Sequence, residues 1–570
     1  MYNKLILNCW IILIIVKSNF SINICTINEC VCDQEVSANY ITCIFSKNES
    51  SDVLKNKIDL KFNKTKLSSF TNVDTFNVII KNLDGNQVSK KLFAGLDIDY
   101  LLMNENSLNK LDFELFKGVS SVKNLYLSNN NLSEMIEFYN FSPNLTSTIE
   151  SLILKNNSIK KVSSHSLNYL TNLNYLDLSY NQIDDIDADN DLNLNLKTLS
   201  TLELSNNKIK SVDFRYFSTD LKNKLDRLNL NSNGLQYLIN LNELKNLRYL
   251  SLASNKLNEL YFSPITKLNH LIKLDLSKNL LKEVHRHMLG HMKNLTKIDF
   301  SYNLISLLDG SIFKNFKNLE KLYLQHNLLR KLDLNWFKSS LMLNVLDLSH
   351  NQIEVIKNFE NSMIHLANLK IIRLSNNKLI SLSFDPNRIF PNLRMLYLDH
   401  NYIEEFDHQI DLKHLIKVDL SDQNGKLKRL RKFLFKMSIN SGQLLKLNLS
   451  LNNNLDFDNM TFCIENQQES TNFYLDLIIS NRTLVNTNKC ILKQLSHKFK
   501  RTRLFIVNEQ NSESLSRYGI NETICRCDFR LFLANFNILV RDICPLYVTY
   551  CHNEEFKDEC IGNNELKCNA

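Results

Sequence analysis

The pattern Leu-x-x-Leu-x-Leu-x-x-Asn-x-Leu, seen in Leu173, Leu176, Leu178, Asn181 and Ile183, returns throughout the middle of the chain. Its Asn stands at 106, 130, 157, 181, 207, 233, 255, 279, 303, 327, 351, 377 and 401, with successive spacings of 22 to 27 residues and 24 the commonest. Repetition in phase over this distance overrides the several separate domains that 570 residues would otherwise suggest. Leu-x-Leu puts two apolar side chains on one face of a short strand and the residues between them on the other. A single repeat cannot bury its leucines alone, so neighbours must stack and share one core. The Asn side chain carries donors and an acceptor. Buried at the turn after the strand, it can bond backbone groups that would each cost about 1–3 kcal/mol if left unpaired. A second apolar signal precedes each next repeat, as in Phe313 and Phe316 before Leu319, or Leu289 and Met292 before Leu295. These residues are expected to fill the convex side of the core.

The pattern frays toward both ends. Leu60, Phe62, Thr65 and Leu67 read as a degenerate early copy, and residues 76–88 carry no readable phase. After Asn401 comes a copy with Leu415, Val418 and Leu420, in which Gln423 or Asn424 takes the Asn position. Another follows with Leu444, Leu447, Leu449 and Asn452, and relics stand at Leu475–Leu477 and Leu504–Ile506. The total is about 16 to 18 repeats.

The two ends have a different composition. Lys4 precedes an apolar run from Leu5 to Val16, which fits a signal peptide over residues 1–23 and is short for a membrane span. No later run is long and apolar enough to span, and Asn563–Ala570 offers no hydrophobic tail, so a released, secreted chain is expected. Of 13 cysteines, Cys9 falls in the leader. The rest are Cys25, Cys30, Cys32, Cys43, Cys463, Cys490, Cys525, Cys527, Cys544, Cys551, Cys560 and Cys568. Cysteines confined to the ends of a secreted chain point to disulfide-bonded end structures. Asn-x-Ser/Thr acceptor triplets at Asn48, Asn63, Asn131, Asn144, Asn156, Asn294, Asn448, Asn459, Asn481 and Asn521 are expected glycosylation sites, and Asn140 is set aside because Pro143 follows it closely.

The repeat and its flanks together resemble the extracellular leucine-rich repeat proteins, which include Toll-like receptor ectodomains, guidance and adhesion proteins and matrix proteoglycans. The front run Cys25-x4-Cys30-x-Cys32-x10-Cys43 is similar to their N-terminal flank, with longer gaps. The run Cys525-Arg526-Cys527, followed by Cys544, Cys551, Cys560 and Cys568, is similar to their C-terminal flank, where C-x-C opens a short helix. It departs in lacking the usual Trp and in having six cysteines instead of four, so its pairing stays open among 15 connectivities. Cys463 and Cys490 are candidates for a separate bridge. The resemblance implies an α/β-type repeat solenoid, a leucine-rich repeat horseshoe. Its parallel β-sheet lies on the concave face, its convex side is irregular or short-helical, and disulfides cap both ends. The implied order is a cysteine-rich cap over 24–52, about 16 repeats over 53–455, degenerate repeats over 456–520 and a second cap over 521–570. The chain departs from the receptors in that neither a membrane span nor a cytoplasmic signalling domain is expected in it.

Binding is expected on strand residues that face away from the core. One column holds Tyr126, Asp177, Glu203, Asp275, Asp299, Tyr323, Asp347, Arg373, Tyr397 and Asp419. The column before it holds Arg227, Lys273, Lys297, Lys321, Lys417 and Lys446, and just before the Asn stand Tyr180, Tyr302, His326, His350 and His400. Aromatics amid polar groups favour binding hot spots, although Lys and Asp neighbours also stabilise a solvated sheet. The densest cluster, Tyr323, His326, His350, Tyr397 and His400, is the expected ligand contact. A glycan on Asn448 would push that contact toward the middle repeats.

Two basic runs, Lys426 to Lys436 (including Lys428, Arg429, Arg431 and Lys432) and Lys498 to Arg503, suit a solvated face or a glycosaminoglycan. His285, His287 and His291 lack the Glu of a zinc-protease helix, and no P-loop or nucleophile elbow is present. The expected function is therefore non-catalytic recognition of an extracellular protein or glycoconjugate through the concave sheet, with no cofactor and no metal. A matrix or adhesion role through self-association as a homodimer or through glycosaminoglycan binding is the alternative, as is a soluble receptor-like decoy. A formal charge of +8 on 570 residues gives no reason to expect nucleic acid.

Overall fold

The computed structural model describes residues 93–455 apart from 185, 187–194, 259–267, 290–291, 358–364, 383–385, 407–409, 412–413, 431–434, 437–443 and 453, together with the strands 9–14, 30–31, 40–45, 76–81, 474–480, 501–507 and 538–541. The chain divides into two compact units, 1–280 and 281–570.

In the first unit a parallel sheet runs through Phe76–Lys81, Asp97–Leu102, Ser121–Tyr126, Ser151–Ile153, Tyr175–Asp177, Thr201–Glu203, Arg227–Asn229, Tyr249–Ser251 and Lys273–Asp275, each strand paired with the next in sequence. The register keeps Leu125, Leu152, Leu176, Leu202, Leu228, Leu250 and Leu274 abreast, all of them buried. The stretch 76–81, which carried no phase in the sequence, is a repeat strand with Val78 and Ile80 in the core. Its other neighbour is Tyr40–Phe45, within the expected N-terminal cap, and the copy read at Leu60–Leu67 lies outside the described residues. Cys9–Ile14, within the expected leader, pairs antiparallel with Tyr40–Phe45; a β-branched apolar run is also a good strand.

In the second unit the sheet comprises Lys297–Asp299, Lys321–Tyr323, Val345–Asp347, Ile371–Arg373, Met395–Tyr397, Lys417–Asp419, Leu444–Asn448, Tyr474–Ser480, Arg501–Val507 and Ile538–Arg541, all parallel. The relics at Leu475–Leu477 and Leu504–Ile506 are thus full strands in register, with Leu475 and Leu477 buried. Ile538–Arg541 carries the sheet into the segment expected to be only a cysteine-rich cap. The cysteines themselves lie outside the described residues, except for the strand backbones at Cys9, Cys30 and Cys43.

The return path behind the sheet is apolar and short. Phe313, Phe316, Leu289 and Met292 are buried as expected, and Phe313 packs on Phe337 of the next repeat with ring centroids 5.1 Å apart. Where this path turns, an Asp accepts from the backbone N–H two residues on: Asp309 from Ser311 and Asp333 from Asn335. Gly310 lies against Trp336, whose ring would stand 1.9 Å from an added Cβ.

The repeated Asn ties one repeat to the next. Asn327 donates from Nδ2 to the carbonyl of Leu324 in its own repeat and to that of Phe300 in the preceding one, both at 3.0 Å. Its Oδ1 accepts from Ile305 N–H, again in the preceding repeat, at 3.0 Å. Asn130, Asn157 and Asn181 in the first unit, and Asn351, Asn377 and Asn401 in the second, make the same set. Gln423, not Asn424, takes the place after Asn401: its Nε2 reaches Leu398 and Leu420 carbonyls and its Oε1 accepts from Ile403. The residue before each Asn has a left-handed backbone, with φ between 53° and 57° at Tyr180, Tyr302, His326, His350 and His400. Such a conformation costs a non-Gly residue about 1–2 kcal/mol, and the Asn bonds on either side hold it.

Replacing Asn327 with Leu strands the Ile305 N–H inside the protein and removes one of the two carboxamide donors at the Leu324 and Phe300 carbonyls, which keep Asn351 and Asn303 respectively. Chemical denaturation should show a loss of about 1–3 kcal/mol, whereas the same change at exposed Asn318 should cost nothing measurable. Equal effects at both positions would contradict the role given to the buried carboxamide.

Candidate functional site

The open face of each sheet carries the side chains that alternate with the buried leucines. In the second unit the middle column reads Asp299, Tyr323, Asp347, Arg373, Tyr397, Asp419 and Asn448 in register. Its carboxylates are engaged within the sheet. Asp347 accepts from the Ser349 hydroxyl at 2.7 Å and lies 3.6 Å from Arg373, while Asp419 accepts from Ser421 at 2.7 Å and lies 3.4 Å from Lys417. Its two tyrosines are half-buried under cations. Lys297 Nζ stands 5.1 Å from the Tyr323 ring centre, and Lys417 and Arg373 stand 4.5 and 5.3 Å from that of Tyr397. Where Ser would follow in the next column, Gln325 stands beside Tyr323, and its buried Oε1 has no partner among the described residues.

The structure does not gather Tyr323, His326, His350, Tyr397 and His400 into one cluster. It sorts them into two lines. Tyr323 and Tyr397 lie on the open face, three strands apart with Asp347 and Arg373 on the two strands between. His326 and His350 lie in the left-handed turn column and stack face to face, 4.0 Å between ring centres and 9° from parallel. Tyr302 extends that stack, 4.1 Å from His326. His400 stands beyond Asn376 and pairs instead with Asp399 at 3.1 Å and Asp422 at 3.4 Å. The left-handed φ makes the stack: it turns each of these side chains the same way at each repeat.

Sequence reasoning named the lysines of the column alongside Tyr323 and Tyr397 but missed its apolar members. In order it holds Lys297, Lys321, Val345, Ile371, Met395, Lys417 and Lys446, an apolar strip between lysines. The signal was present, since Val345, Ile371 and Met395 occupy the position before the second leucine of their repeats, where the neighbouring repeats carry lysine. Also missed was Tyr249 in the first unit, which lies under Arg227 at 3.8 Å and Lys273 at 5.3 Å. Further along that face Tyr100 and Tyr126 are 6.2 Å apart. The Tyr175 phenol is pushed up to about 12 by burial, then by Asp177, Glu203 and Tyr126. Burial likewise raises Glu203, against the hydrogen bond from Asn229.

The remaining expected sites fall elsewhere. Arg429 belongs to a separate two-stranded pairing, opposite Glu405, and Lys428 beside it is exposed; Arg431 and Lys432 lie outside the described residues. Of the acceptor triplets, Asn131, Asn144, Asn156 and Asn294 are exposed. Asn448 is half-buried on the open face. Its Nδ2, the atom a glycan would be linked to, donates to Ser421 Oγ, and its Oδ1 accepts from Ser450. Asn48, Asn63, Asn459, Asn481 and Asn521 lie outside the described residues. His285 is 2.9 Å from Glu283. Among the described residues no helix is long and apolar enough to cross a membrane.

Comparison with known proteins supplies the context for this face. The family model described as leucine rich repeat matches residues 147–195, 245–305, 269–329, 293–353 and 317–379. Osteomodulin of Bos taurus is 29% identical over 183 residues, covering 28% of this chain and 42% of osteomodulin. Lumican of Mus musculus is 28% identical over 221 residues, covering 32% of this chain and 58% of lumican. The chain thus spans less than two thirds of the length of these relatives. The structure of the Toll–Spatzle complex, a molecular hub in Drosophila development and innate immunity, aligns with 85% of this chain and 70% of its own at a TM-score of 0.55 and 16% identity, a likeness of fold.

The imidazole stack can be read by titration. The His326 pKa is lowered by burial and then by His350, with Asp347 opposing. The folded protein therefore binds this proton more weakly than the unfolded chain does. The penalty is absent above the unfolded value of about 6.5 and grows as pH falls through it toward the folded value. In an NMR titration His326 should protonate below an unperturbed imidazole, and His350→Asn should move it upward. An ordinary His326 titration, unmoved by that substitution, would contradict the stack.

Proposed function

From a chain that is an extracellular leucine-rich repeat protein, we infer a function in non-catalytic recognition: a protein or glycoconjugate partner binds across the open sheet face of the second unit. The observation that carries this reading is the pair Tyr323 and Tyr397, each a broad ring with a polar tip, half-exposed and held under cations on a face turned away from the core. Rings fixed in this way lose little conformational freedom on binding, which is what makes anchors of Tyr and Arg. The relatives support the reading in kind, since osteomodulin and lumican share its repeats.

The residues that would touch the partner are Tyr323 and Tyr397 on the face, and His326, His350 and His400 along the turn edge. A rigid repeat sheet offers them pre-formed, so recognition needs no loop rearrangement. The basic residues Lys428 and Arg429, on a different pair of strands, would serve a sulfated polysaccharide and not this partner.

Binding of the purified chain to cell surfaces tests the proposal. Protease treatment of the cells should abolish binding, high salt should not, and the combined change Tyr323→Ala and Tyr397→Ala should weaken it about tenfold or more. Binding that survives protease and disappears in salt would move the function to Lys428 and Arg429.

A further inference from the structure

The apolar strip on the open face of the second unit has a composition that specifies the chemistry of its partner. Val345, Ile371 and Met395 stand abreast on three adjacent strands, a span of about 10 Å at the usual strand spacing. Val345 is buried among its neighbours, while Ile371 and Met395 are half-exposed with Tyr323 and Tyr397 in the next column. Ordinary solvated sheet faces put polar residues here, as Asn124, Ser151 and Thr201 do in the same column of the first unit. Three consecutive apolar residues therefore need a reason beyond the fold.

The charges around the strip are one-sided. Lys321 lies before it in the column, Lys446 lies after it beyond the Asp419-paired Lys417, and Lys370 and Arg394 occupy the strand entries immediately preceding Ile371 and Met395. All four are exposed, and none has a carboxylate partner among the described residues. The nearby carboxylates are spent. Asp347 is taken by Ser349 and Arg373, Asp399 by Ser375 and His400, and Asp419 by Ser421 and Lys417. Glu320, exposed beside Lys321, is the opposing charge at one end, and Asp476 follows Lys446 in register at the other.

We propose that this face takes a protein segment with an apolar centre and acidic flanks, its apolar side chains on Val345, Ile371 and Met395 and its carboxylates on Lys321, Lys370 and Arg394. The apolar contact supplies affinity and the cations set polarity and register. The inference rests on the proposed recognition function of the same face and names the chemistry of what is recognised. A sulfated polysaccharide would use the cations but gain nothing from the strip.

Selection from a displayed library of random peptides on the full chain tests this, with two variants in parallel. Ile371→Asp removes the apolar centre, and the combined Lys321→Glu, Lys370→Glu and Arg394→Glu, all at exposed positions, reverses the rim without touching the core. Peptides retained by the natural chain should carry an apolar run between Asp or Glu residues. Each variant should retain them about tenfold less well, and the rim variant should favour basic flanks instead. Retained peptides with no acidic bias, or equal retention by Ile371→Asp, would overturn the proposal. So would heparin binding lost in the rim variant but kept by Ile371→Asp, if no peptide is selected. Peptide results of that kind, alongside cell-surface binding that still depends on Tyr323 and Tyr397, sink this inference alone. Loss of that dependence as well sinks the recognition reading with it.

Discussion

The buried carboxamide at the end of each strand is the interaction on which the rest depends. A strand of three residues forms few ladder bonds, and the chain must leave it through a turn whose carbonyls and N–H groups point inward. The Asn side chain meets two of those carbonyls and one N–H, and two of the three belong to the preceding repeat. It thereby fixes the spacing between repeats as well as the turn itself. Leucine packing alone would hold the repeats together but would leave these polar groups stranded, at about 1–3 kcal/mol each. Gln423 makes the same bonds with one more methylene, in a repeat where Gly425 follows with a left-handed φ of 70°.

What could be read from the sequence was whatever repeats. The buried leucines, the Asn bonds and the phenylalanines of the return path follow from spacing alone, because a period that recurs in phase has one structural solution. The ends were less legible for the same reason. Residues 76–81 are a strand, yet the Asn that should follow is missing and only Val78 and Ile80 mark the core. The strand at 538–541 lies in a segment whose cysteines suggested a cap and nothing else.

The open face was legible as columns but not as contacts. Spacing placed Tyr323 and His326 only three residues apart and suggested one cluster. The left-handed residue before each Asn separates them, sending His326 and His350 into a stack along the turn while Tyr323 and Tyr397 stay on the sheet. The apolar strip Val345, Ile371 and Met395 escaped notice because each residue is unremarkable alone. Its meaning comes from register, which puts three such residues on neighbouring strands among cations, with Asp347 and Asp419 nearby already bonded.

A recognition surface of this kind works only if the strands hold their register without the partner, and that is the task assigned to the carboxamides. Amide hydrogen exchange on Asn351→Leu tests the assignment most directly. The Leu329 N–H, which donates to Asn351 Oδ1, should exchange about tenfold faster or more, together with the backbone of the strands at 321–323 and 345–347, while Leu108 and Leu132 keep their protection. Unchanged exchange at Leu329 would contradict the account, because the sheet would then be held by its leucines alone.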